Sequence, residues 1–155
     1  MSRDRIEQTA LAFDWGLVHI GVATGQTASR TASPLTHLAA RDGIPDWDAI
    51  ARLLTQWRPD VVVVGLPTDL DGSEGSLAPR ARKFGRRIAG RFGCTVEFQD
   101  ERLTTREAYA RTRPGDDPDA LHAIAAQVIL EDWLSARTTP SSTTPSTTRS
   151  STPGD

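Results

Sequence analysis

The sequence predicts an α/β domain, a mixed β-sheet with helices on both faces. Three observations carry this. Two short apolar runs, Thr9–Asp14 and Ile20–Gly25, are joined by a turn containing Gly16, which is the pattern of a β-hairpin. Val61–Gly65 (VVVVG) is a continuous apolar run, as found in strands buried on both faces. Amphipathic helical stretches then alternate with the later strands, as in βαβα units with right-handed crossovers.

The elements follow in order. The hairpin's turn, Trp15 to His19, leaves His19 as a surface turn residue; His37 reads the same way. A third strand near Thr31–Leu38 contains Pro34, which demands an edge or a bulge. A helix spans about Asp46 to Trp57: Asp46 caps it, Ile50, Leu53, Leu54 and Trp57 form its apolar stripe, and Arg58-Pro59 stops it. After the valine run, Leu66–Pro79 has no periodicity and forms a long loop that either closes over a ligand or is a tolerated insertion. A second helix covers about Leu77 to Arg91, with Leu77, Ala81, Phe84 and Ile88 on its apolar face. Cys94–Gln99 is a strand, and Cys94 a small buried apolar residue. Thr104-Thr105-Arg106-Glu107 has the capping-box form and starts a short helix broken at Pro114-Gly115. The last helix runs from about Asp119 to Ala136, with Leu121, Ile124, Ala125, Val128 and Ile129 toward the core.

Size and composition bound the function. The chain has 155 residues with 37% hydrophobic and 25% charged content, which fits one soluble domain. A single cysteine excludes an internal disulfide and a cysteine zinc cluster. No apolar run approaches the ~20 residues of a membrane helix. The polar residues 1–8 form an arm unlike a secretory signal, so the expected address is cytoplasmic and no membrane partner is expected. Residues 9–136 hold the domain. Residues 137–155 carry twelve Ser/Thr and three Pro and should be disordered, since nothing there offsets the entropy of ordering.

Charge is unevenly spread. The net charge is −2, yet residues 80–113 hold ten basic and four acidic side chains. Arg80, Lys83, Arg87 and Arg91 recur at helical spacing. Alone, that stripe is a solvated helix face; beside a phosphodiester-cleaving site it becomes a phosphate contact that positions a polyanion without reading sequence.

Two carboxylates end strands. Asp14 closes the first and Glu101 follows the Cys94–Gln99 strand. Each alone is a turn residue or a surface ion pair. Together they lie where open α/β sheets bind ligands, outside the carboxyl ends of strands, and can share a divalent cation such as Mg2+. Trp15, next to Asp14, either stacks a base or packs in the core.

The residues Leu11-Ala12-Phe13-Asp14-Trp15-Gly16, Ile20-Gly21-Val22-Ala23, Val64-Gly65-Leu66-Pro67, Asp71-Gly72-Ser73-Glu74-Gly75 and Asp100-Glu101-Arg102-Leu103-Thr104-Thr105 occur in this order. With Ala125-Ala126-Gln127-Val128-Ile129-Leu130, they resemble the YqgF/RuvX family of RNase H-like pre-16S rRNA nucleases, also described as Holliday-junction-resolvase-like. The resemblance implies a five-stranded mixed sheet whose second strand is antiparallel. It implies Mg2+- or Mn2+-assisted phosphodiester hydrolysis, with Asp14 and Glu101 as catalytic carboxylates. A third family acid falls on His122, a departure. His122 then serves as a ligand, as a general base, or only as a helix residue, and Asp119, three positions earlier, is a candidate replacement carboxylate. Arg102 joins the basic stripe as a candidate nucleic-acid contact. The implied partners are precursor rRNA, free or in the ribosomal particle, or DNA junctions, bound by a monomer or weak dimer.

Two further readings differ in chemistry. A non-catalytic RNA-binding module stays open because of His122. A sugar-kinase or Hsp70-like ATPase is disfavoured by chain length and by the lack of a Gly-x-x-x-x-Gly-Lys-Ser/Thr loop.

Overall fold

The computed structural model describes residues 7–67, 77–100, 110, 111, 115, 117 and 119–138. Its elements are β1 (Thr9–Asp14), β2 (His19–Gln26), β3 (Thr31–Arg41), β4 (Ile44–Pro45), α1 (Trp47–Trp57), β5 (Val61–Leu66), α2 (Ala78–Phe92), β6 (Val96–Asp100) and α3 (Ala120–Thr138). The sheet order is β4-β3-β2-β1-β5-β6. β2 runs antiparallel to both β1 and β3, while β1, β5 and β6 are parallel. The five longer strands thus form the expected mixed sheet, and the two-residue β4 adds a sixth at the edge.

β5 is buried along its whole length because it has neighbours in the sheet and helices on both faces. Val62 and Val64 join Leu11, Phe13, Ile20, Val22, Ile50, Phe84 and Ile88 in the core beneath α1 and α2. Val61 and Val63 face the other way, with Ala10, Ala12, Ala23, Ala126, Ile129, Leu130 and Trp133 beneath α3. Strand alternation therefore sorts the side chains into two layers.

Local chemistry sets the helix ends. The Asp46 carboxylate accepts the Asp48 amide at 2.9 Å, and Arg58 closes α1 in the left-handed region. Pro79 sits in the first turn of α2, and Gly93 ends it at φ 69°. Pro34 falls at a register shift between β2 and β3 that pairs it with Ala23 and skips Leu35. Its missing amide costs nothing there, since β4 pairs with β3 only at Ala40 and Arg41.

Three expectations need correction. β6 begins at Val96, so Cys94 precedes the strand, half-buried, with its Sγ 3.9 Å from the Ile88 carbonyl. α3 buries Ala125, Val128 and Ile129 as expected and adds Ala126, Leu130, Trp133 and Leu134, while Leu121 and Ile124 stay partly exposed. Apolar residues surround much of α3, so periodicity does not select the inward stripe. His19 and His37 are strand residues on β2 and β3, half-buried rather than on surface turns. The capping box Thr104-Thr105-Arg106-Glu107, most of the 66–79 loop including Asp71 and Glu74, and the tail from 139 lie outside the described residues.

One contact sets how closely α3 approaches the sheet. A Cβ added at Gly21 would overlap the His122 carbonyl, so the first turn of α3 lies directly on the β2 backbone. Gly21→Ala is expected to destabilise the protein by about 1–3 kcal/mol, because backbone rather than a flexible side chain occupies the space. Gly90 on α2 has nothing within 4 Å of an added Cβ. Gly90→Ala should therefore stabilise by about 0.5–1 kcal/mol. Denaturant unfolding of both variants checks the opposite signs.

Candidate metal and nucleic-acid site

Asp14 is the last residue of β1 and half-buried. Its cross-strand partner is Gly21, and the partner of Gly21 on β3 is His37. Directly opposed residues share a face, so Asp14, Gly21 and His37 form one row beneath the start of α3. His19 lies two residues before Gly21 and therefore on the same face. Ala10 and Ala12, on the same side of β1 as Asp14, pack in the α3 layer.

The first turn of α3 brings His122 onto this row. The His122 ring stacks on His19 at 4.4 Å between centroids with 28° between planes, and lies 5.8 Å from His37. His19 and His37 meet edge-on at 5.5 Å. Asp119 immediately precedes the helix; its amide bonds the Asp117 carboxylate at 2.9 Å, and its Oδ2 stands 3.6 Å from His37 Nε2. Ligand atoms of His19, Asp119 and His122 all lie within 4.8 Å of one another. Asp119 does not need to be helical to reach this cluster.

Burial pushes the His122 imidazole below its ordinary pKa, and the neighbouring His19 and His37 push in the same direction. Asp119 offsets this only in part. His122 is thus biased toward the neutral imidazole, the form that accepts a proton or binds a metal.

The parallel strands β1, β5 and β6 deliver their carboxyl ends to one rim. β6 ends at Asp100, and Glu101 is the next residue in the chain. Glu101 and Arg102 lie outside the described residues.

The basic stripe occupies the opposite layer, because α2 buries Ala81, Phe84 and Ile88 in the core away from α3. Arg80 sits closest to the rim: its Nη2 donates to the Asp42 carbonyl at 2.7 Å and its guanidinium lies over the Trp15 ring at 5.6 Å. Trp15 is 6% exposed, and its Nε1 donates to the Gly43 carbonyl at 2.9 Å. It is a core residue, not a free stacking platform. Lys83 and Arg87 line a cleft of about 120 Å³ with Trp15, Asp42 and Trp47. Arg91 stacks over Trp47 at 4.3 Å. The structure brings Asp14, Asp119 and His122 to one region and leaves Lys83, Arg87 and Arg91 on the far side of the sheet.

His19 and His37 were missed as site residues. The available signal was their number, since the chain has 3 histidines and all of them meet here.

The sign of the His122 pH effect follows from linkage. Folding favours its neutral form, so this contribution is fully present above the unfolded value near ~6.5 and is lost as pH falls through the depressed folded value. With divalent ions chelated, His122→Gln should lose less thermal stability than the parent between about pH 7.5 and about pH 5.5. Equal acid losses in both proteins would contradict the assignment.

Comparison with known proteins places this geometry in a family. Residues 8–136 match the family model RuvX, described as Holliday junction resolvase. A Shewanella denitrificans protein named "Putative pre-16S rRNA nuclease" is 56% identical over 134 residues, covering 83% of this chain and 95% of the relative. An Aeromonas salmonicida protein of the same name is 49% identical over 132 residues, covering 82% and 94%. Among solved structures, the fowlpox virus Holliday junction resolvase matches with TM-score 0.51 and 14% identity over 83% of this chain and 99% of that one. T. thermophilus RuvC, in complex with a Holliday junction substrate, matches with TM-score 0.50 and 14% identity over 84% and 95%. At such identities these structures speak to the fold. The extent and identity of the sequence matches are decisive: the chain belongs to the RuvX family.

Proposed function

We propose that the chain is a divalent-metal-dependent nuclease that hydrolyses phosphodiester bonds in RNA and acts in 5'-end maturation of pre-16S rRNA. The observation that carries this reading is Asp14 at the carboxyl end of β1, on the row that α3 covers with His122 and Asp119. The names of the relatives point to the same substrate.

Asp14, Glu101 and Asp119 are the proposed metal-holding residues. The donor chemistry of the described residues, carboxylate oxygen beside imidazole, fits a divalent ion such as Mg2+ or Mn2+. A bound ion supplies Lewis acidity at the phosphoryl oxygen and acidifies a water at neutral pH. Asp14 and Asp119 contribute negative charge that attracts the cation to the rim. The neutral His122 imidazole takes up the proton released when water attacks phosphorus. Arg80, Lys83, Arg87, Arg91 and Arg102 hold the RNA backbone; all but Arg102 sit on α2, so they grip strand that continues past the rim rather than the scissile phosphate. The working form is a cytoplasmic monomer or weak dimer that meets its RNA free or in the ribosomal particle. Among the described residues, no helix is long and apolar enough to cross a membrane.

The family description favours one second reading, cleavage of four-way DNA junctions by the same carboxylates. Competition between precursor RNA and junction DNA separates the two. With Mn2+ present, Asp14→Asn should slow RNA cleavage by more than about 100-fold while unfolding stays cooperative, since even outer partners of a metal cost 10–100-fold. RNA cleavage that persists in Asp14→Asn contradicts the proposal.

A further inference from the structure

We propose that Leu17, Val18 and Ile44 form an apolar contact surface for nucleobases, and that this surface selects RNA whose bases are unstacked beside the cut. The proposal rests on the nuclease reading and adds the structure of the strand that its site takes.

Among the described residues, four large hydrophobic side chains are exposed: Leu17 (36%), Val18 (61%), Ile44 (53%) and Leu77 (36%). Three of them belong to one corner of the sheet. The Ala40 amide donates to the Val18 carbonyl at 2.7 Å, and the Gly43 amide donates to the Leu17 carbonyl at 2.9 Å. These bonds stitch the β1–β2 turn to the turn that leads into Ile44, the first residue of β4. The buried Trp15 indole, bonded to the Gly43 carbonyl, pins the corner from below. A lone exposed apolar residue is ordinary, whereas several on one held stretch of backbone mark a contact surface. A surface already held in place loses little conformational freedom on binding.

Position and charge name the occupant. Val18 extends the β2–β3 pairing two residues before Ile20, which is buried in the core beneath α1 and α2, so Val18 lies on the α2 face of the sheet. His19, next to it, turns to α3. Leu17 and Val18 stand in the turn that leaves Asp14 at the end of β1. Ile44 opposes Arg41 across the β3–β4 pair and lines the cleft of Arg80, Lys83 and Arg87, where Asp42 is the one carboxylate among the described lining residues. The apolar corner therefore stands between the cations of α2 and the carboxyl end of β1. Its ligand must carry negative charge and apolar faces together. A polynucleotide does so: its phosphates meet the cations and its bases meet Leu17, Val18 and Ile44. Aliphatic side chains set against a base step unstack it, which costs free energy in a duplex and little where the strand is already single. The corner thus favours single-stranded or loop RNA over continuous duplex.

The test uses the full-length chain carrying Asp14→Asn, with Mn2+ present, so that RNA is bound and not cut. The probe is an oligoribonucleotide with one 2-aminopurine, free or annealed to its complement, read by fluorescence intensity and by anisotropy. Binding of the single strand should raise the 2-aminopurine signal, and the single strand should bind about 5-fold or more tighter than the duplex. Adding Val18→Ser or Ile44→Ser should remove the rise and the preference while leaving duplex affinity and its salt slope unchanged. Lys83→Ala should instead weaken both RNAs and flatten the slope. Both serine variants change exposed side chains, so either one remains informative if the other folds poorly. The proposal is overturned if both serine variants keep the fluorescence rise and the preference. It is also overturned if sedimentation shows a dimer that Val18→Ser dissociates, which would make the corner an interface between two copies of the chain. A chain with intact Asp14 that gives the rise but never cuts RNA overturns the nuclease reading and leaves the base contact standing. One that cuts single strand and duplex alike with no rise overturns the base contact alone.

Discussion

The site depends on how closely the backbone of α3 approaches β2. Only a residue without a side chain lets the His122 carbonyl rest on the strand, and Gly21 supplies it. This contact sets the height of α3 above the sheet and the position of its first turn along β2. The apolar residues further along, Ala126, Ile129, Leu130 and Trp133, then bury themselves against β1, β2 and β5 and hold the helix in place. Packing along the helix thus positions its first turn, and with it His122.

The sheet divides the chemistry between its two faces. Acid and imidazole groups gather under α3, while the arginines of α2 and the α1 core lie on the other side. In the nuclease reading proposed above, a polyanion held by α2 would pass the Trp15–Arg80–Asp42 contact, where a guanidinium lies over a buried indole, on its way to the acidic rim.

Much of this fold was legible because the residues act locally. Asp46 and Pro59 bracket α1, the valine run marks β5, and Pro34 announces an irregular edge, each through its own backbone chemistry. The inward stripe of α3 was legible only in part: Ala125, Val128 and Ile129 are buried as expected, but residues apolar on several sides give no preferred rotation, and Leu121 and Ile124 stay partly exposed. Asp14 was readable as a carboxylate closing an apolar strand. The meeting of His19, His37 and His122 was not, because it arises from pairing between β2 and β3 and from the seat of a helix about a hundred residues further along the chain. Treating Trp15 to His19 as one turn also removed His19 from its strand, and with it the alternation that aims the ring at α3.

The convergence of these rings over Gly21 can be measured directly in solution. In nuclear Overhauser spectra of the metal-free protein, ring protons of His122 should show cross-peaks to both His19 and His37, and the Gly21 α-protons should show contacts to the first turn of α3. Spectra in which the three imidazoles lack mutual contacts, and Gly21 has none to α3, would contradict the account.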